Sequence, residues 1–407
     1  MALDTIDAED EKVFFLNDPK FRSLFFQGLL LGGLGYFFYT IVANTQANIE
    51  ARDISTGFAF LTDTAGFGII GTPGTWMVGY TETATYGDVY LVGLVNTLFI
   101  AIIGVFLATI LGFTLGVMRL SKNWVVAKIA MVYVETFRNI PLLLQIFFWY
   151  FAVLRSLPGK RDKWSLFDTL HLNILGIWGP RPLPESGFWL TLSALAVGII
   201  GTFVVKRWAH KRQMETGEQF PVFLTAMGLI IGLPAAVFLI TGMPLGWEYA
   251  EFKETGAMLR RGFQQGTGFV LIPEFIALLL ALTIYTASFI AEIVRAGILA
   301  VAHGQTEASY ALGLRPGPTL RLNIIPQAMK VIIPPLTSQY LNLTKNSSLA
   351  VAIAYPELVA VFAGTVLNQA GQAVEIIIMT MLTYLAISLV TSMFMNWYNA
   401  RSTLVER

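Results

Sequence analysis

Long apolar runs limit what this chain can fold into more than any other feature of its sequence. A hydrocarbon core of about 30 Å is crossed by roughly 20 helical residues, and eight segments reach that length: residues 23–44, 91–117, 125–154, 187–205, 220–241, 270–299, 328–350 and 373–396. Lipid offers no partner to a free backbone N–H or C=O, and the runs are too long and uniformly apolar for barrel strands. We therefore expect an all-α polytopic membrane protein with about eight transmembrane helices.

The basic residues of the short loops predict the orientation of these helices. The loop between the second and third spans carries Arg119, Lys122 and Lys128, and the loop between the fourth and fifth carries Lys206, Arg207, Lys211 and Arg212. Both loops are therefore expected to face the cytoplasm. The segment 45–90 is acidic and is expected outside, and the alternation then places both termini and residues 300–327 inside. Segment 155–186 is rich in basic residues yet falls outside, and we keep this prediction because the bias is counted over all loops. The first 20 residues are acidic (Asp4, Asp7, Glu9, Asp10 and Glu11) where a secretory signal begins with a basic stretch, so the first span is expected to stay in the mature protein.

Several classes of function lack the residues they need. The chain has no cysteine and a formal net charge of +1, which excludes thiolate chemistry and gives no support to nucleic-acid binding. The Gly159-Lys160 pair is followed by Arg161, so there is no phosphate-binding loop, and any ATP must be hydrolysed by another chain. No His, Cys or carboxylate cluster has the spacing of a catalytic or metal site, so neither an enzyme nor a metal protein is expected.

Charged residues inside two predicted spans form a repeated pattern. Glu135 and Arg138 lie in the third span, and Glu292 and Arg295 lie in the sixth. A spacing of three places each pair on one helical face, where the two side chains can meet. Charge is costly in hydrocarbon, so these residues are either structural ion pairs near the cytoplasmic helix ends or the lining of an internal path and its gate.

The seventh span combines a proline pair with a polar run. Pro334 and Pro335 remove backbone donors, and such a helix is tolerated where protein or water meets the freed carbonyls, which predicts a cavity wall. Lys345, together with Asn342, Asn346, Ser347 and Ser348, could meet the carboxylate of a substrate. Alternatively, Lys345 extends its amine to the outer interface. Both interpretations stay open.

Residues 304–328 read GQTEASYALGLRPGPTLRLNIIPQA, a polar stretch between two apolar runs. Gly304 ends the sixth helix, Thr306 is expected to cap a new helix with Glu307 in its first turn, and Gly313 is expected to stop it after two turns. A second short turn over 318–324 follows, and Pro326 opens the seventh span. A two-turn helix is unstable alone, so this one needs a partner in the cytoplasm, and its small-residue face invites close contact.

This stretch resembles the cytoplasmic coupling motif of ATP-binding-cassette importer permeases. Glu307, Ala308, Gly313 and Pro326 fit the motif's spacing, while Ser309 replaces a third small residue and Asn323 replaces a usually apolar one. The runs GLVNTLFIAIIGVFLATILGFTLGVMRLS, YVETFRNIPLLLQIFFWYF, SFIAEIVRAGILAVAHGQTEA and LTKNSSLAVAIAYPEL look like successive signatures of the polar amino acid permease family. The size and layout are similar to those of the larger permeases of general L-amino-acid importers.

The resemblance implies a five-helix permease core interrupted by an insertion. Residues 1–90 would hold the N-terminal tail, first span and external loop, 91–155 the first part of the core, 156–269 the insertion with two extra helices, and 270–407 the second part with the coupling helix. The residues expected to couple to the ATPase are Gly304, Glu307, Ala308, Ser309, Leu312, Gly313 and Pro326. Those expected along the substrate path are Glu135, Arg138, Asn139, Gln145, Glu292, Arg295, Asn342, Lys345, Asn346 and Ser347.

The partners and the function follow from the same resemblance. We expect a bacterial inner-membrane permease that imports L-amino acids, polar or broad in range, together with an ATPase subunit that carries ATP and Mg, a second permease that is similar in sequence, a periplasmic amino acid binding protein and membrane lipid. This chain itself would bind no cofactor, metal or nucleic acid. The alternative is a self-contained secondary transporter or channel driven by an ion gradient, which the charged residues within the spans suggest.

Overall fold

Helices dominate the computed structural model, which describes residues 19–51, 56–254, 261–264 and 266–402. The acidic N-terminal residues, Arg52 and Asp53 lie outside the described residues. Six helical segments in the described part are long and apolar enough to cross a membrane. They are α1 (Pro19–Ala51), α3 (Tyr86–Met118), α6 (Phe188–Thr216), the Val222–Ile240 segment, α9 (Pro273–Leu299) and α14 (Ala373–Ser402).

Two further helical segments correspond to the third and seventh predicted spans. α4 (Trp124–Asn139) is followed after a bend of 105° by a second limb over Leu142–Ser156, which begins with α5 (Leu142–Phe147). α12 (Ile325–Asn346) continues through Pro334 and Pro335 without a break. The prediction of a helical membrane protein with several spans is thus confirmed, and these eight segments match the eight predicted apolar runs.

Short helices and irregular turns complete the helical part. The short α-helices are α2 (Pro73–Val78), α7 (Val222–Met227), α8 (Leu233–Ile240), α10 (His303–Ala311), α11 (Pro316–Thr319) and α13 (Leu367–Ala370). Turns of 3-10 helix cover Ala59–Thr62, Leu154–Ser156 and Ser347–Ile353, and π-helical segments cover Phe148–Val153, Gly228–Gly232, Leu320–Ile324 and Val359–Val366. The seventh predicted span therefore ends in a tighter 3-10 turn.

The third predicted span is bent, because the chain turns sharply at Pro141. Pro141 has no backbone N–H, and proline disfavours the helical conformation in the residue before it. Ile140 accordingly takes an extended conformation, with φ −96° and ψ 126°. Gln145 closes the bend, since its buried side-chain amide donates to the main-chain oxygens of Phe137 and Ile140, each at 3.0 Å.

Strands occur in two stretches that apolar periodicity left without secondary structure. β1 (Trp164–Leu166), β2 (Leu170–Asn173), β3 (Gly176–Gly179) and β8 (Phe269–Leu271) form one antiparallel sheet in that order. β4 (Arg181–Pro184) pairs with β5 (Leu245–Glu248), and β6 (Phe252–Lys253) pairs with β7 (Gly262–Phe263). Since β3 pairs with β8, the segments on either side of the α6–α8 helical pair lie on the same side of the membrane.

The core is built around α9, and α3 packs closely along it. A Cβ at Gly112 would lie 2.6 Å from the Cβ of Ile290, and one at Gly116 would lie 2.7 Å from the Cβ of Val294. Two glycines four residues apart let the helix backbones approach each other, as small residues commonly do in membrane proteins. α4, α5 and α12 also pack on α9, whereas α1 buries none of its residues.

Candidate functional site

The polar loop, residues 303–326, begins with α10 and was the first candidate from the sequence. α10 starts at His303, with Ala302 as its N-cap and no side-chain cap, so the expected cap at Thr306 is wrong. The helix begins a turn earlier than expected, after Ala302 with φ −58° and ψ 136°. The expectation that Gly304 ends the sixth helix is also wrong, because α9 ends at Leu299 and Gly304 is the second residue of α10. Glu307 therefore lies in the middle of the helix, where its carboxylate contacts His303 Nδ1 at 3.1 Å.

Hydrogen bonds tie α10 to the start of α12. The Asn323 side-chain amide donates to the main-chain oxygen of Gln305 and to Ser309 Oγ, both at 2.9 Å. Gln327 donates to Gln305 Oε1 at 3.1 Å and to Asn323 Oδ1 at 2.5 Å. Ser309, predicted as a coupling residue, is buried against these groups. Its hydroxyl holds the loop together, while Gly304, Glu307, Ala308 and Leu312 are exposed.

The end of α10 agrees with the sequence. Gly313 adopts φ +76°, the left-handed conformation that a glycine takes up most readily at a helix end. The amide of Leu314 donates to the main-chain oxygen of Ser309 at 3.1 Å, which closes the last turn. The short turn expected over 318–324 is present as α11 and the π segment that follows it, and Pro326 is the second residue of α12.

A cluster of charged side chains brings α3, α4 and α9 together. Arg295 Nη2 contacts Glu292 Oε1 at 2.6 Å, so this expected pair is confirmed. Arg119 at the end of α3 also contacts Glu292, and it lies 3.9 Å from Glu135. One carboxylate thus holds two guanidinium groups from different helices.

The expected Glu135–Arg138 pair does not form within the described residues. The Arg138 guanidinium lies over the Phe289 ring, 5.3 Å from its centroid, while Glu135 points to Arg119. Spacing along α4 permitted the pair, but packing against α3 and α9 offered each side chain another partner. Asn139 donates to the main-chain oxygen of Glu135 at 2.7 Å, which places it in the last turn of α4.

The polar run at the end of α12 divides into exposed and buried residues. Asn342 and Lys345 are exposed, Asn346 is half-buried, and Ser347 is fully buried with its hydroxyl donating to the main-chain oxygen of Thr344 at 2.7 Å. Lys345 forms no ion pair among the residues that the structure describes. The structure does not bring these four side chains together with Glu135 and Glu292.

Sequence reasoning missed a buried polar junction around Glu357. Its carboxylate accepts from the amides of Val359 and Ala360, at 2.8 and 2.7 Å, and from the Tyr384 hydroxyl at 2.9 Å. Nearby, Asn96 of α3 accepts from the amide of Gly74 at 2.8 Å and donates to the main-chain oxygen of Pro356 at 2.8 Å. Two features of the sequence could have indicated this junction. They are the Pro-Glu pair ahead of an apolar run and the lone Asn within another apolar run. The junction fixes α2, α3 and α14 relative to one another.

No ordinary metal site accompanies these features. Within the described ranges, no group of three or more His, Cys, Asp or Glu side chains is placed to hold an ion. What the arrangement offers is an exposed short helix that is tied to the long helices behind it, and partly buried charges at the ends of those helices.

Comparison with known proteins gives a consistent result. The family described as "Binding-protein-dependent transport system inner membrane component" matches residues 104–403. The chain is 48% identical over 393 residues to the general L-amino acid transport system permease protein AapQ of Rhizobium johnstonii, which covers 96% of this chain and 94% of that protein. It is also 48% identical over 394 residues to the putative amino-acid ABC transporter permease protein YhdX of Escherichia coli, with 96% of each chain covered.

A third relative is less similar in sequence, and its name gives a narrower set of amino acids. The chain is 40% identical, over an alignment 425 residues long, to the glutamate/glutamine/aspartate/asparagine transport system permease protein BztB of Rhodobacter capsulatus, and 96% of each chain is covered. All three alignments extend through the segment that carries the strands.

Proposed function

The chain belongs to the family of binding-protein-dependent transport system inner membrane components and is a permease of the amino acid ABC importers, and from this premise we propose that it carries L-amino acids across a bacterial inner membrane. Relatives named for general L-amino acid transport and for glutamate, glutamine, aspartate and asparagine support polar substrates or a broad range. Both termini would face the cytoplasm, and the strands would face the periplasm.

Energy would reach this permease through the polar loop, and ATP and Mg would be held by a separate ATPase subunit. The observation that carries this proposal is the attachment of an exposed helix to a membrane helix. α10 presents Glu307, Ala308 and Leu312 to the outside, and Asn323 and Gln327 bind its inner side to the start of α12. A displacement of α10 by the ATPase subunit would therefore also displace α12, which packs on α9 in the core.

Three further partners complete the proposed importer. A second permease similar to this chain would share the translocation path, a periplasmic binding protein would deliver the amino acid, and lipid would cover the apolar faces. Phe25, Phe26 and Leu30 on α1 are examples of apolar side chains that this chain leaves exposed. Glu135, Arg138, Glu292 and Arg295 would brace the inner end of the path. Glu135 and Glu292 contact Arg119 at the end of α3, and Arg138 lies over Phe289 of α9.

The test is a pair of substitutions in the polar loop of the reconstituted complex. Gly313→Ala places a side chain at φ +76°, where a Cβ is strained by roughly 1–2 kcal/mol, and Glu307→Ala removes an exposed charge from the docking surface. We expect both variants to lower amino acid uptake and its stimulation of ATP hydrolysis. Gly317→Ala is the matched control, because Gly317 is exposed and an added Cβ would lie within 4 Å of none of the residues that the structure describes.

Unchanged coupling in both variants would remove the role proposed for α10. The alternative, a transporter driven by an ion gradient, predicts uptake by vesicles that contain this chain alone without ATP. Family membership favours the importer. Purification in mild detergent tests the partners, since an ATPase and a second permease should remain bound to the chain.

A further inference from the structure

A cavity of about 710 Å³ lies beside the strands, outside the pathway residues named above. Its wall comes from three parts of the chain: residues 68–71 with Trp76 before α3, the far end of the bent span at Tyr150 and Arg155, and parts of the strand region before α6 and after α8, among them Trp178, Gly268 and Glu274. The volume is in the range of small-molecule sites, about 300–1,000 Å³. Two of the three wall segments belong to the external loop and the insertion.

Two opposite charges share one hydroxyl group at this wall. The Tyr150 hydroxyl donates to Glu274 Oε1 at 2.8 Å, and Arg155 Nη2 donates to the same hydroxyl oxygen at 3.3 Å. The Arg155 guanidinium also lies over the Tyr150 ring, 5.3 Å from its centroid. Arg155 and Glu274 form no ion pair with each other in the described part of the chain, so each retains hydrogen-bonding capacity toward the cavity.

The rest of the wall is held in place by close packing. Trp178 stacks on Phe263 with ring centroids 4.6 Å apart and planes inclined by 9°, and its indole N–H donates to Asn173 Oδ1 at 3.2 Å. Gly268 has φ +62°, and a Cβ there would lie 2.5 Å from the main-chain oxygen of Gly179. Trp76, by contrast, is half exposed, so its ring is available on the opposite side. The cavity is therefore largely preformed.

We propose that this cavity is an external binding site for a free amino acid, with its α-carboxylate at Arg155 and its α-ammonium group at Glu274. A zwitterion needs opposite charges a short distance apart, and the shared Tyr150 hydroxyl sets that separation. A simple anion would meet the Glu274 carboxylate without a cation of its own, which disfavours it. Trp76 can cover the apolar part of the side chain. The inference rests on the proposed function, because it names an entry site for the transported substrate.

The experiment measures equilibrium binding of radiolabelled L-glutamine to the purified, nucleotide-free complex without binding protein. Two competitors each remove one charge: the α-methyl ester lacks the carboxylate, and N-acetyl-L-glutamine lacks the ammonium group. The wild-type complex should prefer L-glutamine to both. Arg155→Gln and Glu274→Gln should each weaken binding by roughly ten- to a hundredfold, the loss expected for a hydrogen bond to a charged group.

The pattern of lost discrimination separates a binding role from a structural one. Arg155→Gln should abolish discrimination against the ester while keeping that against the acetyl compound, and Glu274→Gln should do the reverse. Arg161→Gln and Glu251→Gln are matched controls, because both residues are exposed and lie outside the cavity wall, and both variants should bind as the wild type does. A variant that misfolds would lose binding of all three compounds, without this selective change in preference.

Uptake by the complete system keeps this inference distinct from the proposed function. ATP-driven uptake by the wild type, together with unaltered binding in both cavity variants, would overturn the external site and leave the importer assignment intact. Absence of detectable L-glutamine binding to the wild-type complex would overturn the site as well. Absence of ATP-driven amino acid uptake would instead overturn the proposed function.

Discussion

The side-chain amide of Asn323 donates to the main-chain oxygen of Gln305 at 2.9 Å, joining residues 18 positions apart across the polar loop. The same amide binds Ser309 Oγ at 2.9 Å, so one side chain fastens α10 at two points. An exposed helix of nine residues has little core of its own. Its position relative to α12 therefore depends on these polar contacts.

Asn323→Leu should loosen α10 without unfolding the membrane helices. Each lost hydrogen bond costs about 1 kcal/mol, so amide hydrogen exchange in residues 303–311 should become several-fold to about thirtyfold faster. Exchange measured by mass spectrometry on the purified chain tests this. Arg321→Leu, an exposed neighbour in the same π segment, is the control and should leave α10 unchanged. Equal protection of α10 in both variants would contradict the anchoring role.

Glu292→Gln should destabilise the junction of α3, α4 and α9. The change leaves Arg119 and Arg295 close together without their shared carboxylate, and we expect a loss of roughly 1–3 kcal/mol, seen as a lower Tm in detergent. Glu135→Gln is the matched control. Its side chain is 58% exposed and its carboxylate lies 3.9 Å from Arg119, so the loss should stay under about 1 kcal/mol. A similar Tm for both variants would argue against the shared pairing.

Gly112→Val and Gly116→Val should push α3 away from α9. The added Cβ atoms would lie 2.6 and 2.7 Å from Ile290 and Val294, and overpacking of this kind costs roughly 1–3 kcal/mol. Thermal unfolding and recovery of folded protein in detergent measure the effect. Gly28→Val and Gly32→Val in α1 serve as controls, because an added Cβ at either position lies within 4 Å of no other part of the described chain. Equivalent losses in α1 would show that close helix packing is not the cause.

Glu357→Ala should be more damaging than Tyr384→Phe. The first change leaves two partly buried amides and a hydroxyl without their acceptor, which costs roughly 3 kcal/mol, while the second removes one hydrogen bond worth about 1 kcal/mol. Chemical or thermal unfolding of the two variants in the same detergent gives the order. Equal stabilities would mean that the backbone amides find other acceptors.

Hydropathy determined where the long helices lie, because burial in lipid depends on each segment's own side chains and length. Gly313 and Pro326 likewise marked the end of α10 and the start of α12, since their backbone preferences act locally. The five-helix core and the domain boundaries at residues 90, 155 and 269 stay predictions. So do the coupling and pathway roles of individual residues.

The tertiary structure decided which distant residues meet. Arg119 and Glu292 are 173 positions apart, and Arg119 also gives Glu135 a partner other than Arg138, the neighbour that helical spacing favoured. The pairing of β3 with β8 and the enclosure of a cavity between Trp76, Arg155 and Glu274 likewise join segments that share no local pattern. The conformational preference of the backbone depends on a few adjacent residues, whereas ion pairs, sheets and cavities depend on how whole elements pack.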